Sequence, residues 1–287
     1  MTTRLSAIAS HLRRPTLTNN NNNIIKSFAA ANTRKMASSS EPTITLYTVG
    51  TPNGVKASIL LEELGLPYNV KALKFSTQEQ KEPWFLEINP NGRIPALTDT
   101  FTDGKPIRIF ESGSILQYLV ERYDADHKVS YPRGSRDYWE VNNWLMWQMG
   151  GLGPMQGQAN HFFRYAPEKI EYGIQRYQGE TKRLYSVMES QLAKSTSGYL
   201  VGDRCTIADI SCVGWVNSHD WAGVSIEEFP KLKKWLETML ARPGVKRGFD
   251  VPDKREPRKE MTEEEKEKIA AEARAWILQT NEHTSSK

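Results

Sequence analysis

Between Thr43 and Tyr123 the apolar positions alternate between two periods; beyond Ser135 only the helical one persists. Thr43–Val49 (TITLYTV) reads as a strand, and Val55, Ile59, Leu60 and Leu64 then share one helical face. Gly65 closes that helix and Pro67 follows it, the usual stop signals. Tyr68–Phe75 (YNVKALKF) reads as a second strand, so a βαβ unit with parallel strands is expected. PALTDTF and PIRIF flank Asp103-Gly104, a hairpin turn signal. Glu111–Tyr123 opens with capping residues and continues as a helix. The pattern predicts a small α/β domain over residues 42–124.

From residue 135 to 249 the segments RDYWEVNNWLMWQMG, PEKIEYGIQRYQGETKRLYSVMESQLAK and FPKLKKWLETMLARPG predict an all-helical domain. Within it Thr206 is placed as an N-cap with Asp209 three residues on as its capping-box partner, a helix-start role. Residues 250–287 form a charged tail in which Ile269, Ala273, Trp276 and Ile277 recur at helical spacing. A solvated helix laying one stripe on the body fits this pattern, and so does a partner-binding helix.

Charge changes the picture only after it is divided. The first 40 residues hold six basic residues and no acid, leaving 32 basic against 34 acidic residues for the remainder. The body therefore lacks the positive surplus of a nucleic-acid-binding face. No apolar run is long enough to cross a bilayer, so no membrane association is expected. Residues 1–41 are rich in Arg, Ser and Thr, with Leu5, Ile8 and Leu12 on one helical face. That composition fits a mitochondrial transit peptide or a disordered leader. Met36 offers an alternative start, so a cytoplasmic protein with a longer mitochondrial form is the expectation. Cys205 and Cys212 lie seven apart, near helical spacing, and form neither a CxxC motif nor a zinc set. They read as core residues, and no metal site is expected.

The candidate chemistry starts at the turn Thr51-Pro52-Asn53-Gly54, where a strand feeds a helix. A helix start presents free N–H groups and the positive end of its dipole, which lowers the pKa of a thiol placed there. The turn contains no cysteine. Asn53 can donate from its amide and Thr51 from its hydroxyl, so the turn is equipped to hold a thiolate brought from outside. Alternatively, Asn53 merely caps the helix and Thr51 solvates the turn. In INPNGRIPALTD the Ile94-Pro95 bond is a candidate cis peptide that exposes the backbone of Ile94 to an extended peptide ligand. A proline opening a strand is the plainer account. Glu111 and Ser112 stand at a helix N-terminus, suited to the two charges of an amino-acid end, although Ser112 alone is an ordinary N-cap.

Taken together, Thr51–Gly54, Asn89–Leu97 and Glu111–Gly113 resemble the glutathione site of the glutathione S-transferase superfamily. The stretch GGLGPMQGQANHFFRYAPEKIEYGIQRYQGETKRLY narrows the likeness to the nu-class disulfide-bond oxidoreductases and the yeast prion-forming nitrogen regulator's glutathione-binding domain. The resemblance covers about residues 43–249. It implies a thioredoxin-like N-terminal domain followed by a helical glutathione-transferase C-terminal domain, a homodimer, and glutathione as co-substrate. It further implies that Thr51 and Asn53 face the glutathione sulfur as the catalytic residues. Ile94 would pair its backbone with the cysteinyl residue, Glu111 and Ser112 would bind the γ-glutamyl end, and Gln80 and Arg93 would lie near the glycyl carboxylate. Trp144, Trp147, Met149, His161, Phe162, Phe163 and Arg164 would wall the second substrate or belong to the core. The activity implied is disulfide reduction with bound glutathione, acting on a small electrophile or disulfide, with conjugating or peroxidase activity beside it. A glutathione-binding regulator with a vestigial site is the rival.

Overall fold

The computed structural model describes residues 43–254 and 261–285. The leader and its expected targeting role lie outside the described residues. The described residues open on strand β1 (Thr45–Thr48), helix α1 (Gly54–Leu64) and strand β2 (Asn69–Ala72). A short helix α2 (Pro83–Ile88) leads into the hairpin of β3 (Ala96–Thr100) and β4 (Pro106–Phe110), and α3 (Ser112–Tyr123) closes the unit. The sheet order is β2-β1-β3-β4. β1 and β2 run parallel and β3 is antiparallel to both β1 and β4, so the βαβ unit and the hairpin are present as expected. Gly65 is left-handed at the end of α1, and its amide donates to the carbonyls of Leu61 and Glu62.

Beyond the sheet the structure is helical: α4 (Arg136–Trp147), α5 (Gly153–Asn160), α6 (Glu171–Lys194), α7 (Ile207–Val216), α8 (Pro230–Ala241), α9 (Pro243–Phe249) and α10 (Glu263–Ser285). Two π-helical turns, Gln148–Leu152 and His161–Tyr165, join α4 to α5 and extend α5. The chain thus stays helical through Gly150, Gly151 and Pro154. π turns relax the hydrogen-bond ladder where glycine and proline would otherwise break it.

Helix α1 is the shared wall of the two parts. Its face Val55, Ile59 and Leu60 is fully buried, together with Leu97, Ile115 and Leu116 from β3 and α3. Its other side meets the helical domain. Arg242 forks onto Glu63 through Nε at 3.0 Å and Nη2 at 2.7 Å, and the Ser58 hydroxyl donates to the Gly248 carbonyl at 2.7 Å. Helix α7 is buried from end to end. It begins with the expected capping box, Thr206 accepting from the Ala208 amide and Asp209 accepting from the Thr206 amide. Cys212 lies in α7 but Cys205 precedes it, so the two do not share a helical face; both are buried.

Helix α10 corrects the expected stripe. Ile269 is exposed, and the inward face carries Glu263, Lys266, Ala270, Arg274 and Ile277. Thr262 and Glu265 cap its start reciprocally. Among the described residues no helix is long and apolar enough to cross a membrane, and no group of three His, Cys, Asp or Glu side chains is placed to hold a metal.

Candidate functional site

The turn after β1 is capped by Thr51, not by Asn53. The Thr51 Oγ1 accepts from the Gly54 amide at 3.1 Å, and Asn53 makes no cap bond. Accepting leaves the Thr51 hydroxyl proton free to donate elsewhere. The Asn53 side chain is fixed from the opposite domain: the indole Nε1 of Trp215 donates to its Oδ1 at 3.0 Å. An indole N–H only donates, so the bond assigns the amide oxygen to Trp215 and leaves the Asn53 NH2 group for another acceptor. Gly214 makes this approach possible. A Cβ there would stand 2.7 Å from the Pro52 carbonyl and 2.9 Å from Val55 Cγ2. A larger residue would push α7, and Trp215 with it, off the turn.

These residues border a cavity of about 320 Å3. Thr51, Asn53, Gln80, Arg93 and Ile94 line it, and so do Trp215, Phe75, Lys81 and Ile277. The Ile94-Pro95 bond is cis. Ile94 precedes β3, and its backbone pairs with none of the described residues. Gln80 is buried with its Oε1 unpaired among the described residues. Lys81 and Arg93 bring two positive charges to the same rim, and burial first, then Arg93, pull the Lys81 pKa down. Gly92 sets that rim: its φ is +61°, and a Cβ would meet the Gln80 carbonyl at 2.9 Å and Lys81 Cδ at 3.0 Å.

Glu111 and Ser112 do not line the cavity. Glu111 is the exposed residue before α3, held at φ +68°, a conformation costly for a residue with a Cβ and frequent at functional sites. Ser112 is the first residue of α3 and its hydroxyl is turned inward, accepting from Lys56 Nζ at 3.3 Å and lying 3.5 Å from Met149 Sδ. The same lysine donates to Gln148 Oε1 at 2.6 Å. Lys56 is almost fully buried, and desolvation brings its pKa down to about 7 against the opposing pull of Cys212 and Glu111.

The residues expected either to wall a second substrate or to belong to the core do not border this cavity. Trp144, Trp147, Met149, His161, Phe162, Phe163 and Arg164 are all absent from the cavity lining. Trp144 packs edge-on against Trp147, and Phe162 stacks on Tyr177. Arg164 is buried between the rings of Phe163 and Trp221. The lining residues that sequence reasoning missed are Trp215, Lys81, Phe75 and Ile277. For Trp215 the Gly-Trp pair in an otherwise apolar helix was the available signal; the others carried none. No thiol of the protein lines the cavity, and burial pushes the Cys212 thiol up to about 12.

Two regions of the chain match known family models. Residues 42–121 match the glutathione S-transferase N-terminal domain and residues 153–243 its C-terminal domain. The disulfide-bond oxidoreductase YfcG of Escherichia coli is 41% identical over 204 residues, covering 70% of this chain and 92% of that protein. A glutathione transferase homolog from Lodderomyces elongisporus, solved with two glutathione molecules per subunit, is 46% identical with a TM-score of 0.71, covering 74% of this chain and 99% of that one. The nitrogen regulation fragment of the yeast prion protein Ure2p is 37% identical with a TM-score of 0.68, covering 73% and 97%. With a thioredoxin-like sheet followed by the helical domain, and both family regions matched in order, the chain belongs to the glutathione S-transferase family.

Proposed function

We propose that the protein binds glutathione and uses its thiolate to reduce small disulfides, with conjugation or peroxide reduction as lesser activities. The observation that carries this reading is the Asn53 amide, whose oxygen is held by Trp215 so that its N–H groups remain for a ligand sulfur. Thr51 adds a hydroxyl, and the start of α1 adds its dipole. These groups favour the ionised thiol, whose free pKa is about 8.5.

The tripeptide would lie along the cavity. Its cysteinyl backbone pairs with Ile94 as an added strand, its glycyl carboxylate meets Arg93 and Lys81 beside Gln80, and its γ-glutamyl end reaches Glu111 and the N-terminus of α3. The glutathione thiolate attacks one sulfur of the substrate disulfide, forming a mixed disulfide and releasing the other sulfur as a thiolate. A second glutathione thiolate then attacks the glutathione sulfur of that mixed disulfide, releasing the remaining substrate thiolate and oxidised glutathione. No protein cysteine is needed, in keeping with the burial of Cys205 and Cys212. The working unit is a homodimer, and the leader directs a longer form to mitochondria while a form begun at Met36 stays cytoplasmic.

Purified protein mixed with glutathione and hydroxyethyl disulfide, coupled to glutathione reductase, tests the reading. Turnover should fall at least about tenfold in Asn53→Ala, corresponding to about 1.4 kcal/mol of thiolate stabilisation. Activity indifferent to that change removes Asn53 from the mechanism. The likeness to the nitrogen regulation fragment of Ure2p supports the regulatory alternative. Tight glutathione binding without turnover would decide for it.

A further inference from the structure

Helix α10 lies against the helical domain through residues at spacings of three and four. Glu263 pairs with Arg164 Nη1 at 2.9 Å, Lys266 reaches Asp220 at 3.6 Å, Ala270 is fully buried, and Arg274 Nη2 donates to the Arg164 carbonyl at 2.8 Å. The Glu263 contact satisfies a strong demand. Arg164 is only 6% exposed, and Glu263 is its carboxylate partner among the described residues. Glu263 is itself 70% exposed, and it is this pair together with the Arg274 bond and the buried Ala270 that seats the helix on the body. One turn beyond Arg274 the same stripe delivers Ile277 to the cavity that Asn53, Trp215 and Phe75 line.

Building on the glutathione reading above, we infer that Ile277 is a specificity-determining residue that walls the second-substrate side of the sulfur site and selects slim apolar groups over wide ones. The cavity of about 320 Å3 is at the small end for ligand pockets, so a bound tripeptide leaves little unfilled space. A substituent on the sulfur, whether the far half of a disulfide or an alkyl group, extends past Asn53 along the apolar surfaces of Trp215 and Ile277. A narrow chain gains contact there. A fused ring system collides with a side chain that the Arg164 anchorage prevents from moving aside.

Calorimetric titration of the full chain and Ile277→Ala with glutathione, S-hexylglutathione and S-naphthylmethylglutathione tests this. Ile277→Ala should weaken S-hexylglutathione about three- to tenfold, strengthen S-naphthylmethylglutathione, and leave glutathione within about twofold. Unchanged selectivity among the three, or equal weakening of all, overturns the inference. A bimane fluorophore on Ile277→Cys, in a Trp276→Phe background, reads the placement without any ligand. Its emission should be quenched and should recover when Trp215→Phe is added; no recovery also overturns the inference. Quenching by Trp215 in a protein that fails to bind glutathione would instead refute the glutathione reading and leave Ile277 at the wall of a cavity for another ligand.

Discussion

The Trp215 indole donates to the Asn53 side-chain oxygen across the boundary between the sheet and the helical domain, at 3.0 Å. The residue that presents donors to the proposed thiolate is thus oriented by a group 162 positions away in the chain. Trp215→Phe keeps most of the ring and removes only the N–H, freeing the Asn53 amide to rotate. Glutathione-dependent disulfide reduction should fall about five- to thirtyfold in this variant, mostly in kcat, as an oriented hydrogen bond to a charged group is worth about 1.5–3 kcal/mol and is only partly lost. The pH–rate profile should shift to higher pH, since the bound thiol ionises less readily. Asn53→Ala combined with Trp215→Phe should be no slower than Asn53→Ala alone, because the two act through one bond.

Lys81 and Arg93 bring two cations to one rim, and no carboxylate is among the described residues that line the cavity, which suits an anionic ligand end. Arg93→Ala and Lys81→Ala should each raise KM for glutathione about three- to tenfold with kcat unchanged, the signature of binding energy felt equally in ground and transition states. Glutathione monoethyl ester, blocked at the glycyl carboxylate, should be used almost equally by both variants and the unaltered protein. A variant that discriminates the ester as strongly as the parent does would assign the carboxylate elsewhere.

What the sequence revealed, and what it hid, follows the range of the interactions. The β1–α1 turn, the cis Ile94-Pro95 and the β3–β4 hairpin are written in adjacent residues, and each appears where the sequence puts it. The seven proposed site residues split on the same principle. Five meet around one cavity because the segments that carry them leave or enter the strands at the same end of the sheet. The Ser112 hydroxyl is turned away from it by Lys56 and Met149, a contact between distant segments that no local pattern announces. Trp215 reads as core because its neighbours are apolar, and its polar edge matters only once α7 is packed against the turn. In α10 the apolar period favoured a face with Ile269 inward, yet Ile269 is exposed. The face that packs instead carries Glu263, paired with the Arg164 guanidinium, and Arg274, which donates to the Arg164 carbonyl.

Asp209 shows how much of the stability rests on one capping residue. Its carboxylate is fully buried and accepts from the amides of Leu200 at 3.0 Å and Thr206 at 3.0 Å and from the Trp235 indole at 2.8 Å. Burial raises its pKa, while these donors act to hold the charged form. Asp209→Ala leaves several buried donors unpaired and should cost about 3–5 kcal/mol, measured by urea unfolding. Asp209→Asn, which keeps an acceptor oxygen but loses the charge, should cost less. Equal midpoints for all three proteins would mean the network contributes nothing.

Lys56 makes the stability of the fold depend on pH in a direction opposite to most lysines. Its amine is buried against Gln148, Ser112 and Met149, and its pKa stands at about 7 where an unfolded lysine has 10.5. Below pH 7 both states hold the proton, and the fold bears the full cost of a buried ammonium. As the pH rises through 7 the folded protein releases its proton while the unfolded chain keeps it until about 10.5. The unfolded state then binds more protons, so stability rises with pH, at up to about 1.4 kcal/mol per unit. Other groups titrate over the same range, and comparison with Lys56→Met removes their share. The unfolding free energy of the parent minus that of Lys56→Met should climb by about 2–3 kcal/mol between pH 7 and pH 9.5. A flat difference would mean that the folded amine keeps its proton over this range, because water reaches it or because Glu111 and Gln148 offset the cost of burial.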